Sequence, residues 1–443
     1  MIKIINADDF RKNYINRKTV TSTSVTSSVA MIIANIIKRG DEALREYTEK
    51  FDGCAPANFE LPKSAMEKAI ENVDEKFIGV LERAAKNIED FHRYQTQSGF
   101  DITANKGIRL GQIVTPLERV GIYVPGGSAP YPSTVLMNVV PAKIAGVNEI
   151  IIATPPSREC NINSVKDVCK VGGITYINGI NARILAAAKI AGADRVFSIG
   201  GAQAIAALAF GTQTIPRVGK ITGPGNAYVA EAKRQVYGYV GIDMIAGPSD
   251  ILVIADATAN PIHVAADMLS QCEHGPDSPA ILITNCKELA ENVSNELETQ
   301  ISQLPREEIA RKAIDDHGFI IITETIDEAF ELSNTIAPEH LEILLDEPFN
   351  YIDKVKNAGS VFMGKYTPEP LSDYYAGPNH TLPTSGTSRF SGPLSVEDFT
   401  KKTSYTYYTK EALQAASEDV IRFAEEEGFR AHALTISKRL EKK

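Results

Sequence analysis

The rhythm of hydrophobic and polar positions changes near residue 119 and divides the chain into two textures. Over the first hundred residues the rhythm is mainly helical. Apolar Val29, Ile32, Ile33, Ile36 and Ile37 recur at the spacing of one helix face after a Ser/Thr-rich start, and Gly40 supplies a stop. Asp41 is placed to cap a second helix through Lys50. Ser64 with Glu67 has the form of a capping box opening a third helical stretch, broken or continuous, to about Tyr94.

From Arg119 the texture becomes short β-branched runs followed by glycine and then a helix: GIYVPGG before TVLMNVVPAKIAG, EIIIATPP, and RVFSIGG before AQAIAALAFG. A second series follows, with ILVIAD (Ile251–Asp256), AILIT (Ala280–Thr284), GFIIIT (Gly318–Thr323), HLEILL (His340–Leu345) and SVFMG (Ser360–Gly364) between helical segments. Repeated βα alternation predicts an α/β fold with parallel sheets, right-handed crossovers and helices on the faces. We read two Rossmann-like domains, one from 23–118 with 249–381 and one from 119–248, preceded by an N-terminal arm at 1–22. Segment 157–176 reads as an insertion in the second domain. Beyond Thr381 strand signals fade, and 382–443 is expected to be a helical tail with too few apolar positions for its own core.

Composition narrows the function. The 443 residues carry 46 Lys plus Arg against 56 Asp plus Glu, a net charge of −10, which argues against nucleic acid or an anionic membrane as partner. No apolar run approaches the roughly 20 residues needed to span a bilayer. The start, MIKIINADDF, has no secretion-signal h-region, so a soluble, cytoplasmic protein is expected. Five cysteines (Cys54, Cys160, Cys169, Cys272, Cys286) without CxxC spacing indicate neither a disulfide framework nor a thiolate metal site, and each is expected to be a reduced filler.

Glycine turns at Gly126-Gly127, Gly200-Gly201 and Gly223-Pro224-Gly225-Asn226 each follow a β-run and open a helix, where backbone N–H groups can receive phosphate. Any α/β protein needs such turns, and no GxGxxG stands in the usual setting, so they are compatible with a nucleotide without demanding one. Gln271 and His274, three apart at a helix end, and Asp373 and His380, bracketing SDYYAGPNH, could assemble an N/O-ligand metal site suited to zinc. Ordinary helix-end and turn-capping roles explain them equally. Glu339 and His340 at a helix-to-strand junction offer two proton-handling groups, or two exposed polar residues after a proline. Glu427 and His432 flank Gly428 in the tail, and His92, His263 and His317 receive no role. No HExxH, GxSxG or P-loop signature occurs.

Taken in order, VGIYVPGGSAPYPSTVLMNVVPAKIAG, GGAQAIAALAFGT, ITGPGNAYVAEAKRQV, AGPSDILVIAD, LSQCEHGPDSPAILIT, APEHLEI and DYYAGPNHTLPTSG closely resemble the histidinol dehydrogenase family over nearly the whole chain. The resemblance implies oxidation of L-histidinol through histidinaldehyde to L-histidine with two NAD and one zinc ion per subunit. It implies Gln271, His274, Asp373 and His432 as zinc ligands, with His432 lent by the partner in a domain-swapped homodimer. The ion's implied role is to orient the substrate. Ser249, His380 and Glu427 match substrate-contacting positions, which with the zinc ligands and His340 complete the implied substrate site. Tyr123, Gln203 and Asn226 match NAD-contacting ones. Glu339 and His340 match the catalytic pair, His340 as base in both hydride steps and Glu339 as activator of the hydrating water. Two departures stand out: the long 157–176 segment, and Asp250 where Glu is common after AGPS. Rival readings are a related dehydrogenase of another amino alcohol or polar diol, a zinc hydrolase using Glu339 without NAD, and a non-catalytic binding protein.

Overall fold

The computed structural model describes residues 2–14, 23–126, 130–158 and 168–441. Continuous apolar runs become strands buried on both faces, as a parallel sheet covered by helices requires. Six parallel strands form one sheet in the order Lys3–Asn6, Phe319–Ile322, Ala280–Thr284, Ile251–Ala255, His340–Leu344, Ser360–Met363. Five form another, Gly241–Ile242, Lys220–Thr222, Arg119–Tyr123, Glu149–Thr154, Arg195–Ser198, also all parallel. The expected α/β class with parallel sheets is therefore observed.

The chain separates into two compact units, Met1–Gln95 with Leu117–Phe399, and Thr96–Pro116 with Thr400–Lys443. Both parallel sheets belong to the first. These boundaries differ from those the sequence suggested. The presumed arm contributes the edge strand Lys3–Asn6, paired in register with Phe319–Ile322. The helices Thr23–Arg39 and Asp41–Asp52 pack on the helices Gly201–Phe210 and Ala227–Val236 of the five-stranded sheet, and Ser64–Asn72 packs on Ala182–Ala191. Residues 23–95 thus complete the second predicted domain, because an apolar helix stripe goes to whichever sheet face is uncovered.

In the second unit an antiparallel sheet joins Phe100–Asn105 and Ile108–Pro116 to Thr400–Tyr408. Two helices follow, Lys410–Glu426 and Arg430–Leu440, interrupted at Gly428 (φ 78°) as expected. The tail is therefore partly strand. Its helices bury only Ala412, Ala424 and Ala433, and leave Phe423, Phe429 and Leu434 exposed.

Local expectations were corrected in three places. Asp41 does not cap a helix: Gly40 holds the N-cap position, and the Asp41 carboxylate accepts from the Thr212 and Thr214 hydroxyls. Ser64 is already helical, behind a Lys63 N-cap that offers no side-chain bond, so the capping box is absent. Cys169 is disulfide-bonded, whereas Cys54, Cys272 and Cys286 are free as expected and Cys160 lies outside the described residues. Sequence spacing alone could not exclude a bridge, since pairing depends on where the fold brings the thiols. Within the insertion, Val168–Val171 and Ile174–Ile177 form a hairpin whose two turn residues, Gly172 and Gly173, both have positive φ, the requirement that selects Gly-Gly. Residues 159–167 of that segment and Gly127 lie outside the described residues. Among the described residues, no helix is long and apolar enough to cross a membrane.

Candidate active site

Two sites form, at opposite ends of their strands. In the five-stranded sheet the glycine turns stand at the carboxyl ends, the usual ligand edge of an open α/β sheet. A cavity of ≈ 990 Å³ opens there, lined by Tyr123, Gln203 and Asn226 among others. Gly223 (φ 108°) lets the GPGN turn press against the end of the Tyr123 strand, since a Cβ at 223 would lie 2.1 Å from the Tyr123 carbonyl oxygen. Tyr123 Oη accepts from the Gly201 N–H at 3.1 Å, and burial pushes its phenol up to about 12. Asn226 caps the next helix, Oδ1 accepting from the N–H groups of Tyr228 and Val229. Gln203 carries a buried side-chain amide with no protein partner, the state of a group placed for a ligand.

In the six-stranded sheet the candidate residues gather at the amino ends. Ser249 and Asp250 precede Ile251–Ala255, and Glu339 precedes the strand that His340 opens. Gln271 ends the helix Pro261–Cys272, and His274 follows with its N–H donating to Gln271 O at 3.0 Å. Asp373 lies in a π-helical turn, Ser372–Ala376, beyond the last strand. Neither Glu339 nor His340 lines the large cavity.

The alternative of two exposed polar residues fails for Glu339 and His340, because they are only 5% and 3% exposed. His340 Nδ1 lies 2.8 Å from the Asp250 carbonyl oxygen, which can only accept, so Nδ1 carries the proton. Nε2 then holds a lone pair, buried without a hydrogen-bond partner and 3.9 Å from both Asp373 Oδ1 and Glu369 Oε1. Burial lowers the His340 pKa, opposed by the Asp373 charge. Burial, then the Asp250 charge, holds Glu339 well above the ordinary carboxylate range. Burial thus favours the neutral form of each, an imidazole with a free lone pair and a carboxyl group whose carboxylate is a stronger base than usual, two groups able to handle protons.

Around this pair, His380 Nδ1 lies 2.9 Å from the Asp373 carbonyl oxygen. Asp373 and His380 both act electrostatically on His274, whose pKa burial lowers. The Gln271 amide is fully buried, with neither polar atom partnered. The Ser249 side chain stands close enough to Glu339 to oppose, weakly, the rise of its pKa. Ser249, Gln271, His274, Glu339, His340, Asp373 and His380 thus converge in the first unit. Glu427 and His432 lie in the second, both exposed, Glu427 at the C-cap of Lys410–Glu426 and His432 in the following helix.

Two buried polar groups near these residues were not singled out by the sequence. Ligand atoms of His340, Glu369 and Asp373 lie within 4.8 Å of one another, and Glu369, only 2% exposed, accepts from Ser270 Oγ at 3.3 Å. Its placement one helical turn before Asp373 was the available signal. His92, given no role, is fully buried: Nδ1 lies 2.8 Å from Ile88 O and Nε2 3.2 Å from Asn379 Nδ2, beside His380.

Comparison with known proteins gives one family model that spans most of the chain. The model described as histidinol dehydrogenase matches residues 15–440. The histidinol dehydrogenase of Streptococcus mutans is 50% identical over 418 residues, 94% of this chain and 93% of that protein. That of Listeria innocua is 51% identical over 421 residues, covering 95% and 94%. Among solved structures, the crystal structure of histidinol dehydrogenase from Elizabethkingia anophelis superposes with a TM-score of 0.90 at 38% identity, covering 99% of this chain and 98% of that one.

Proposed function

The chain belongs to the histidinol dehydrogenase family, which catalyses the final NAD-dependent steps of histidine biosynthesis, and from that premise we propose how its own residues carry the reaction. Alcohol to carboxylate removes four electrons as two hydrides, takes up one water and releases protons from oxygen, so the site needs a base for the hydroxyl and a base for the water. His340 Nε2 takes the hydroxyl proton of L-histidinol as the first hydride leaves the carbinol carbon. Glu339 takes a proton from the water that adds to the aldehyde, and Nε2 serves again when the hydrate loses the second hydride. The observation that carries this reading is the buried, unpartnered lone pair on Nε2 of an imidazole whose Nδ1 lies 3.8 Å from Glu339 Oε2, on a carboxylate of raised pKa.

Gln271, His274 and Asp373, joined by His432 of a second copy of the chain, form the proposed metal set. The unpartnered Gln271 amide and the imidazole and carboxylate donors suit zinc. When bound, the ion supplies an orienting charge for the substrate's nitrogen donors. Ser249, His380 and Glu427 hold the substrate, again with Glu427 from the second copy. Tyr123, Gln203 and Asn226 hold NAD, which supplies the hydride acceptor; the cavity they share supports that assignment. This reading makes the enzyme a domain-swapped homodimer working in the cytoplasm.

The test is the NADH formed per L-histidinol, with and without a chelator. Two NADH per substrate and loss of turnover on metal removal are expected. One NADH with accumulating aldehyde overturns the assignment of both half-reactions to this site, and full turnover without metal removes the proposed metal set.

A further inference from the structure

Asp250, the residue just before the strand Ile251–Ala255, touches both members of the proposed catalytic pair. We propose that Asp250 is the positioning residue that registers Glu339 and His340 against each other, so that one site can use them as separate bases. The inference rests on the reading of those two residues given above.

Four contacts carry it. The Asp250 carbonyl oxygen accepts from the His340 main-chain N–H at 3.3 Å and lies 2.8 Å from Nδ1, so both its lone pairs serve one residue. The first of these extends the parallel ladder in which Ile251 pairs with His340, and both use the main chain, so any residue at 250 could make them. The other two contacts run to Glu339. Its N–H donates to Asp250 Oδ1 at 2.8 Å, and its Oε2 accepts from the Asp250 N–H at 3.1 Å. This ring is reciprocal and closes only with an acceptor of this reach at 250. It fixes one Glu339 oxygen and, through the main chain, the strand start from which the imidazole projects. Without the Asp250 carboxylate, the Glu339 N–H loses its acceptor, the ring opens, and the main-chain contacts of residue 250 alone are left to align the two bases.

The experiment compares Asp250→Ala with Asp250→Asn in the full-length enzyme, assayed separately on L-histidinol and histidinaldehyde, with zinc per subunit measured by atomic absorption. Small misplacement of reacting groups costs up to about 100-fold in rate, so Asp250→Ala is expected to lower kcat roughly 10- to 100-fold on both substrates. KM for L-histidinol and zinc content should stay within about twofold, because the Asp250 carboxylate bonds Glu339 and none of the proposed metal ligands. Asp250→Asn keeps an oxygen acceptor and should recover kcat to within about fivefold of wild type. If the alanine protein does not fold, Asp250→Ser, whose hydroxyl stops short of the Glu339 N–H, is expected to give the same kcat-only loss. An unchanged kcat, a loss of activity matched by loss of zinc, or an asparagine variant no better than alanine overturns the inference. A wild-type enzyme that yields two NADH while the Asp250 variants behave in one of those ways refutes this role alone; a wild type that does not yield two NADH refutes the underlying reading.

Discussion

Glu339 and His340 are chain neighbours whose pKa values burial pushes in opposite directions, and these shifts set the expected pH behaviour. Burial lowers His340, so its imidazole stays an unprotonated base to below the ordinary histidine value of about 6.5. Burial and Asp250 raise Glu339, so it becomes a usable carboxylate only above the ordinary carboxylate range. The acid limb for histidinol oxidation is therefore expected below the ordinary histidine value of about 6.5, and Glu339 is expected to add to histidinaldehyde oxidation an ionisation above the ordinary carboxylate range; separate pH–rate profiles on the two substrates check both. Glu339→Gln should spare alcohol oxidation and lower aldehyde oxidation by about 10²- to 10⁴-fold, whereas His340→Asn should lower both with zinc retained. The opposite ranking would show the roles exchanged. The adjacency of these two residues was legible in the sequence; their burial was not. Glu369 was hidden for the same reason, since an acid in PEPLSDYY looks solvent-facing until Ser270 and the Glu342 carboxylate, which accepts from the Glu369 N–H, close around it.

The strand-to-helix turn Gly223–Asn226 is an element whose shape depends on contacts beneath it. The Gly223 N–H donates to Asp243 Oδ2 at 2.8 Å, and its carbonyl accepts from Lys233 Nζ at 2.9 Å. Lys233 and Asp243 are themselves a buried ion pair, each side chain 2% exposed. Removing one member of such a pair strands the other's charge, so the clamp holds the turn in one geometry. Gly223→Ala would force a Cβ into the Tyr123 carbonyl and strain a left-handed φ. It is expected to cost about 1–3 kcal/mol of stability and to weaken NADH binding while leaving zinc content unchanged. Thermal unfolding and NADH fluorescence titration measure the two effects, and unaltered NADH affinity would detach the turn from the cofactor. At this scale the parallel strands were legible because they are apolar throughout and bounded by glycine. The strands Phe100–Asn105 and Thr400–Tyr408 were not, since both are largely exposed and are held in one sheet by a central strand from which Thr400–Tyr408 is separated by nearly three hundred residues.

For the whole molecule, the second unit poses a burial problem that its own sequence cannot solve. Its helices bury three alanines and expose Val420, Phe423, Phe429 and Leu434, so their apolar surface needs cover from another surface. The lack of an intrinsic core was legible in the sequence; which surface supplies the cover is a property of assembly and has no local signature. A tail that crosses to a second copy would gain that cover and also deliver His432 and Glu427, which the first unit's metal set and substrate site otherwise lack. His432→Ala should then lower zinc per subunit while leaving the fold of the first unit intact. Complementation makes the sharper test. A His432→Ala chain has an intact catalytic body and a defective tail, and a Glu339→Gln, His340→Asn chain has the reverse. With tails exchanged, each mixed dimer contains one site with body and tail both intact. Random 1:1 reassembly makes half the dimers mixed, so activity should rise to roughly a quarter of wild type, from near zero in either variant alone. Sites built within single chains would give no such recovery, because every chain in the mixture would still lack either its bases or its tail ligand.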